Sequence, residues 1–212
     1  MRELMKKTRT LCKKYLFLIS AILGLLLVVF ASIRFPELGE FEPFSDSVSR
    51  EECEVYEAVI EDKNAFWMAE MIVIEDYTYA DSDFLEWDEI LRYAKEEFPR
   101  LTRRMIVQFK IKNQKPHVLD CSFDSSVPYV FISDKEKKEI FEKGRWEEFY
   151  TRYPNSPGFI CFSRVAFNWR RDRAIVYIGN PVSYLSGSGS LLFLKNEFGI
   201  WTIEDEMSLW IS

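Results

Sequence analysis

Between Leu16 and Ile33 the chain runs through eighteen residues, LFLISAILGLLLVVFASI, in which only Ser20, Gly24 and Ser32 dilute the apolar side chains. At 1.5 Å per residue a helix of that length spans about 27 Å, enough for the hydrocarbon core of a bilayer. Arg2, Lys6, Lys7, Arg9, Lys13 and Lys14 precede the run against a single Glu3, whereas Glu37, Glu40, Glu42 and Asp46 follow the lone Arg34. The positive-inside rule therefore predicts a single-pass protein with residues 1–15 cytoplasmic, a transmembrane helix over 16–33, and everything beyond on the far side of the membrane. Secretion after signal cleavage is the alternative. Against it, the apolar stretch exceeds the usual h-region, and the exit Phe30-Ala31-Ser32-Ile33-Arg34 lacks an A-x-A site. Cys12 precedes the run and so cannot be a lipoprotein acceptor. Both readings export the remainder of the chain.

That remainder is acidic. The formal net charge is −6, and residues 1–15 hold +5 of it, which leaves −11 for residues 16–212. Such a surface repels phosphate backbones, so nucleic acid is not expected as a partner. The exported part has three cysteines, Cys53, Cys121 and Cys161. An odd count allows one internal disulfide and leaves a thiol over. A Cys121–Cys161 bridge is one candidate pairing; the other reading makes these cysteines small buried apolar residues.

Residues 34–48 (RFPELGEFEPFSDSV) mix Pro, Gly, Ser and acids without periodicity and read as a linker. A domain over 49–212 follows. Ser49 with Glu52 three residues on is a capping box for a first helix carrying Val55, Ala58 and Val59 on one face. Residues 66–75 read as a strand centred on Ile72-Val73-Ile74. Asp81–Asp83 offer N-cap chemistry to a helix with Phe84, Trp87, Leu91, Ala94 and Phe98 at spacings of three and four, stopped by Pro99. Residues 101–112 fit a helix face (Leu101, Met105, Phe109) and an alternating strand alike; the helix is adopted. A strand over 127–132 precedes a second capping box, Ser133 with Glu136, and a helix ending at Gly144. A helical turn carries Trp146, Phe149 and Tyr150.

From Phe159 the pattern becomes β, in four runs: Phe159–Trp169, Ala174–Tyr184, Ser190–Lys195 and Ile200–Ile211. Their short connections suit antiparallel neighbours. The expected fold class is α+β: an N-terminal transmembrane helix, then helices packed on one face of a C-terminal four-stranded antiparallel meander, in a curved cystatin-like or nuclear-transport-factor-like layout. The run FSRVAFNWRRDRAIVYIGN, its Gly/Ser turn, LLFLKNEFGIWTIEDEMSLWIS and the preceding IFEKGRWEEFYTRYPNSPG resemble the end of a family of uncharacterised, mostly bacterial exported proteins. The similarity covers residues 127–212. That family has no assigned activity, so the resemblance implies an exported domain and carries over no site residue. Its members have a cysteine pair in the turn region, where this chain reads Pro181-Val182-Ser183-Tyr184-Leu185-Ser186.

Chemistry-bearing constellations are sparse. His117, the only histidine, stands in His117-Val118-Leu119-Asp120-Cys121, but no C-x-x-C or H-x-x-x-H spacing supports a metal site. No metal or cofactor is expected, and no catalytic set is assigned. Ser186, Ser188 and Ser190 with His117 as base would make a hydrolase, yet they join two β-runs, where Gly and Ser serve turn geometry. Two charges interrupt apolar alternation: Arg164 beside Ile160, Phe162 and Ala166, and Asp205 beside Trp201, Ile203, Met207, Leu209 and Ile211. Burying either alone costs several kcal/mol, so each needs a partner or must face water. They are the candidate ligand-binding residues, marking a pocket on the sheet. The alternative is a bulge at Glu204–Glu206 that turns Asp205 outward, with Phe159, Cys161, Val165 and Phe167 forming the buried face of the first run. The expected function is a membrane-anchored extracytoplasmic binding or interaction module with an unidentified protein or small-molecule partner. A hydrolase using serine or carboxylates in a sheet-lined pocket is the alternative.

Overall fold

The computed structural model describes residues 47–212 except Met68, 81–85 and Gly144, with backbone alone for 64–67 and Lys143. The segments expected to be cytoplasmic (1–15) and transmembrane (16–33), and most of the expected linker, lie outside the described residues. Among the described residues no helix is long and apolar enough to cross a membrane.

Local signals set the helices. In α1 (Arg50–Trp67) the Ser49 Oγ accepts from the Glu52 N–H at 3.3 Å, and the Glu52 carboxylate accepts from the Ser49 N–H at 2.9 Å. This reciprocal pair satisfies two otherwise orphaned donors. The helix continues to Trp67 and the strand β1 is only Ile72–Glu75, shorter than expected, because β-branched residues begin at Ile72. Helix α2 (Trp87–Glu97) buries Trp87, Leu91 and Ala94. The expected cap at Asp81–Asp83 lies outside the described residues. The two-way pattern over 101–112 resolves as α3 (Arg103–Lys112): the Thr102 Oγ1 accepts from the Met105 N–H, and Met105 and Phe109 are buried. After β2 (Tyr129–Ile132), the Ser133 Oγ caps α4 (Asp134–Lys143) through the Glu136 N–H at 3.2 Å. Helix α5 (Arg145–Arg152) buries Trp146 and Phe149.

The strands are β3 (Phe159–Phe162), β4 (Ala166–Phe167), β5 (Arg173–Ser183), β6 (Ser186–Glu197) and β7 (Ile200–Ile211). They join β1 and β2 in one seven-stranded sheet ordered β2-β1-β3-β5-β6-β7, with β4 also on β5. Strands β2, β1 and β3 run parallel, and β3 through β7 pair antiparallel. The fold is α+β with a mixed sheet, not a lone meander with helices on one face. Helix α1 and the loop through Leu119, Cys121 and Phe123 cover one face. On the other, α2 and α3 lie over β5 and β6, and α4 and α5 lie over β1 to β3. A sheet buried on both faces accommodates continuous apolar runs such as Ala174–Ile178 and Leu191–Leu194.

Bulges override the alternation read from the sequence. Phe162 pairs with Ile178 and Ala166 with Ile175, so Ser163, Arg164 and Val165 oppose only Val176 and Tyr177. Ile160 and Phe162 therefore share the α1 face with Val165 and Phe167, not with Ala166. In β7, Leu194 pairs with Ile203 but Phe193 with Asp205, leaving Glu204 extra. Trp201 and Ile203 consequently meet the α1-side core, while Met207 packs with the opposite one. An extra residue shifts the period-two phase and exchanges the faces.

The third run begins at Ser186 rather than Ser190, and the true turn is Tyr184-Leu185. Gly189 belongs inside the strand because the Trp210 indole lies flat against it; a Cβ there would sit 2.0 Å from the Trp210 Nε1. A disulfide joins Cys53 to Cys121, with Cys161 left as a buried free thiol. The Cys121–Cys161 pairing is corrected: Cys161 points to the α2–α3 side of the sheet, and Cys121 lies under α1.

Candidate functional site

Helix α1 crosses the sheet so that its two ends meet it through different chemistry. At the N-terminal end the capping-box residue Glu52 is wholly buried and carries the charge that Arg164 requires. Arg164 Nε donates to Glu52 Oε1 at 2.8 Å and Nη2 to Oε2 at 2.9 Å. The Val165 N–H adds a bond to Oε1 at 3.1 Å, and Lys112 Nζ lies 3.2 Å from the same oxygen. With the Ser49 N–H, five donors converge on one carboxylate. Asn113 clamps the bulge itself: its Oδ1 accepts from the Arg164 N–H at 2.6 Å and its Nδ2 donates to the Arg164 carbonyl at 3.2 Å. Burial alone would raise the Glu52 carboxyl. The Arg164 hydrogen bond, the Lys112 and Arg164 charges and the Ser49 N–H outweigh it and lower the pKa from 4.5 to about 2. Burial pulls the Lys112 ammonium down, opposed by Glu52. The network ties α1, α3 and the β3–β4 bulge together.

Asp205 is exposed on the edge strand β7, its Oδ1 accepting from the Glu206 N–H at 2.9 Å. The Glu204 bulge and the acidic run Glu204-Asp205-Glu206 suit an edge that must not pair with another chain. The structure does not bring Arg164 and Asp205 together. The former is an internal counterion and the latter a solvent-facing edge charge.

At the other end of α1 the same sheet face opens. Moving along it, the cross-strand row Val176–Leu192–Glu206 gives way to Ile178–Ser190–Ser208 and then to Asn180–Ser188–Ile211. Apolar side chains under α1 are thus replaced by small hydroxyls beyond it. The result is an open cleft of about 470 Å³, walled by Asp62 and Lys63 of α1. Lys63 Nζ donates to Glu206 Oε2 at 2.6 Å, closing one side. Partial burial raises the Glu206 carboxyl, but the Lys63 hydrogen bond, a Ser190 hydrogen bond and the Lys63 charge together hold it below its ordinary value. Asn180 Nδ2 donates to the Pro157 and Phe159 carbonyls, fixing the cleft floor to the start of β3.

No family model, curated protein or solved structure matches the chain.

The cleft must therefore be read from its own groups. Hydroxyls of Ser188, Ser190 and Ser208, an amide and one ion pair recognise a polar ligand by hydrogen bonding. They make a poor hydrolytic set. Ser190 has a carboxylate neighbour whose lowered pKa makes it a weak base, and His117 does not line the cleft. His117 is instead buried beside Thr78: the Thr78 N–H donates to the His117 carbonyl, and the His117 N–H donates to the Thr78 Oγ1. Its companion Cys121 is committed to the disulfide, and among the described residues no three acidic, His or Cys side chains could hold a metal. Sequence reasoning missed Lys63 and Glu206. The serine row was visible in Ser186-Gly187-Ser188-Gly189-Ser190, whose strict alternation is a strand pattern as well as a turn composition.

Proposed function

We propose that the chain is a membrane-anchored extracytoplasmic binding module that holds a small polar ligand in the cleft between the C-terminal half of α1 and strands β5 to β7. The observation that carries this reading is the switch on one sheet face from leucine and valine to serine, beside a partly exposed Lys63–Glu206 pair. A face needed only for packing would have stayed apolar or been covered. The export half of the reading rests on the apolar run 16–33 with its charge asymmetry and is supported by the Cys53–Cys121 disulfide, since such bonds persist in oxidising compartments.

The binding half is tested by thermal shift of the detergent-solubilised full chain against mono- and disaccharides, amino sugars and short peptides. Wild type is compared with Ser190→Val and Glu206→Ala. The expected result is a probe that raises the melting temperature of wild type and of neither variant. Equal shifts in all three, or none in wild type, would remove the cleft as a site for these ligands. Retention of the chain in membranes after a carbonate wash tests the anchor separately.

A further inference from the structure

Phe198 and Gly199 form the two-residue turn between β6 and β7, with φ of 57° and 86°. Positive φ at both central positions is the type I′ geometry that matches strand twist, and its usual first residue is Asn, Asp or Gly. A bulky aromatic residue in the left-handed region is strained, so its presence needs a reason. The fold offers none: the Phe198 side chain is fully exposed, at 104%. Ile200, the next side chain, is 66% exposed, and Trp169 in the neighbouring β4–β5 turn is 58% exposed. The two turns share one end of the sheet, where the Asn196 N–H bonds the Asp172 carbonyl and Arg173 pairs with Lys195.

The same end carries the entry of the chain into the domain. Ser47 accepts from Arg164 Nη2 through its carbonyl, and Glu51 pairs with Arg171 of the β4–β5 turn at 2.5 Å. Thirteen residues, 34–46, separate this entry from the apolar run 16–33. They reach at most ~45 Å when extended. Arg103 and Arg170 at this end make no ion pair with a described residue, and Arg104 stacks over Trp169 at 5.1 Å. The opposite hairpin tip, Tyr184-Leu185, is also apolar and exposed, but no basic residue flanks it between Pro181 and Gly189, and it lies a strand length away, about 36 Å.

We propose that the Trp169, Phe198 and Ile200 tip dips into the headgroup–acyl boundary of the bilayer, seating the domain on the membrane surface with its polar cleft held away from it. An amphipathic aromatic at the interface, apolar side chains below it and unpaired guanidinium groups among the headgroups match the chemistry of that boundary. The proposal rests on the anchor reading, and its test separates the two.

The full chain carrying Cys12→Ser is reconstituted in phosphatidylcholine–phosphatidylglycerol vesicles, with a nitroxide attached through Phe198→Cys or, as the control, Leu185→Cys. Both positions are exposed, so neither change disturbs packing. Flotation of the vesicles reports the anchor; the ratio of collisions with oxygen to collisions with a water-soluble nickel complex reports depth. The expected result is flotation with a ratio several-fold higher at position 198 than at 185. Flotation with equal, water-like ratios overturns the seated tip and leaves the anchor standing. Failure to float overturns both.

Discussion

The two ends of α1 place an acid–base pair against the same face of the same sheet, and they do opposite things. At the N-terminal end Glu52 receives five donors and no solvent, so every lone pair that matters is spoken for. At the C-terminal end Glu206 has Lys63 and a serine, and its side chain is partly open to solvent. A fully satisfied buried network rigidifies and specifies a fold; it has nothing left with which to recognise a ligand. A pair with spare hydrogen-bonding capacity, set over a floor of small hydroxyls, does. The charge that looked most anomalous in the sequence, Arg164, thus belongs to architecture. The unremarked Lys63 belongs to the wall of the cleft.

Glu52→Ala gives the largest expected effect. It strands Arg164 and Lys112 as uncompensated buried charges and should cost about 3–5 kcal/mol in denaturant unfolding. A loss under about 1 kcal/mol would mean that the sealed end is not sealed. Removing the disulfide with Cys53→Ala and Cys121→Ala frees the residue next to Glu52 from the 117–127 loop. With the cysteines 68 positions apart, about 2–4 kcal/mol is expected. A pH series sharpens the same point. Because folding depresses the Glu52 carboxyl from 4.5 to about 2, its contribution is fully present above about 4.5 and disappears as the pH falls through about 2. Wild type should lose stability across that window, and Glu52→Gln should lose correspondingly less.

The open end should behave differently. Lys63→Ala ought to cost no more than about 1 kcal/mol, since water screens the Glu206 partner, while abolishing the thermal shift from any cleft-binding probe. A cost equal to that of Glu52→Ala would erase the distinction between the two ends. Asp205→Asn is the smallest expected effect, within about 0.5 kcal/mol, as befits an exposed edge charge. Its main consequence is on self-association, read by sedimentation at high concentration.

Elements governed by neighbours in sequence were legible. The Ser49–Glu52 and Ser133 caps, the Pro99 stop and the hairpins of the last third all depend on contacts within a few residues. The ambiguity over 101–112 was real, and the Thr102 cap, itself a local signal, decides it. The β3–β4 and β7 bulges were not fully legible, because a bulge is a mismatch in count between two strands and exists only once the partner is known. The Glu204–Glu206 bulge was considered for the sake of Asp205, yet its further effect, moving Met207 to the other face from Trp201, lay in the pairing with β6. The cleft was hidden for the same reason: Lys63 and Glu206 are 143 residues apart and meet only across the packed sheet.

The sequence by itself determined the apolar run, the acidic domain, the α+β class and the helix caps, because composition and short-range periodicity act before any distant contact forms. Tertiary structure decided the parallel strands β1 and β2 joining the meander, the partner of Cys53, the burial of Arg164 and the opening beyond α1. Each of these depends on which segments, far apart in the chain, close the lowest-energy packing, and on bulges whose cost is met by contacts no local pattern encodes.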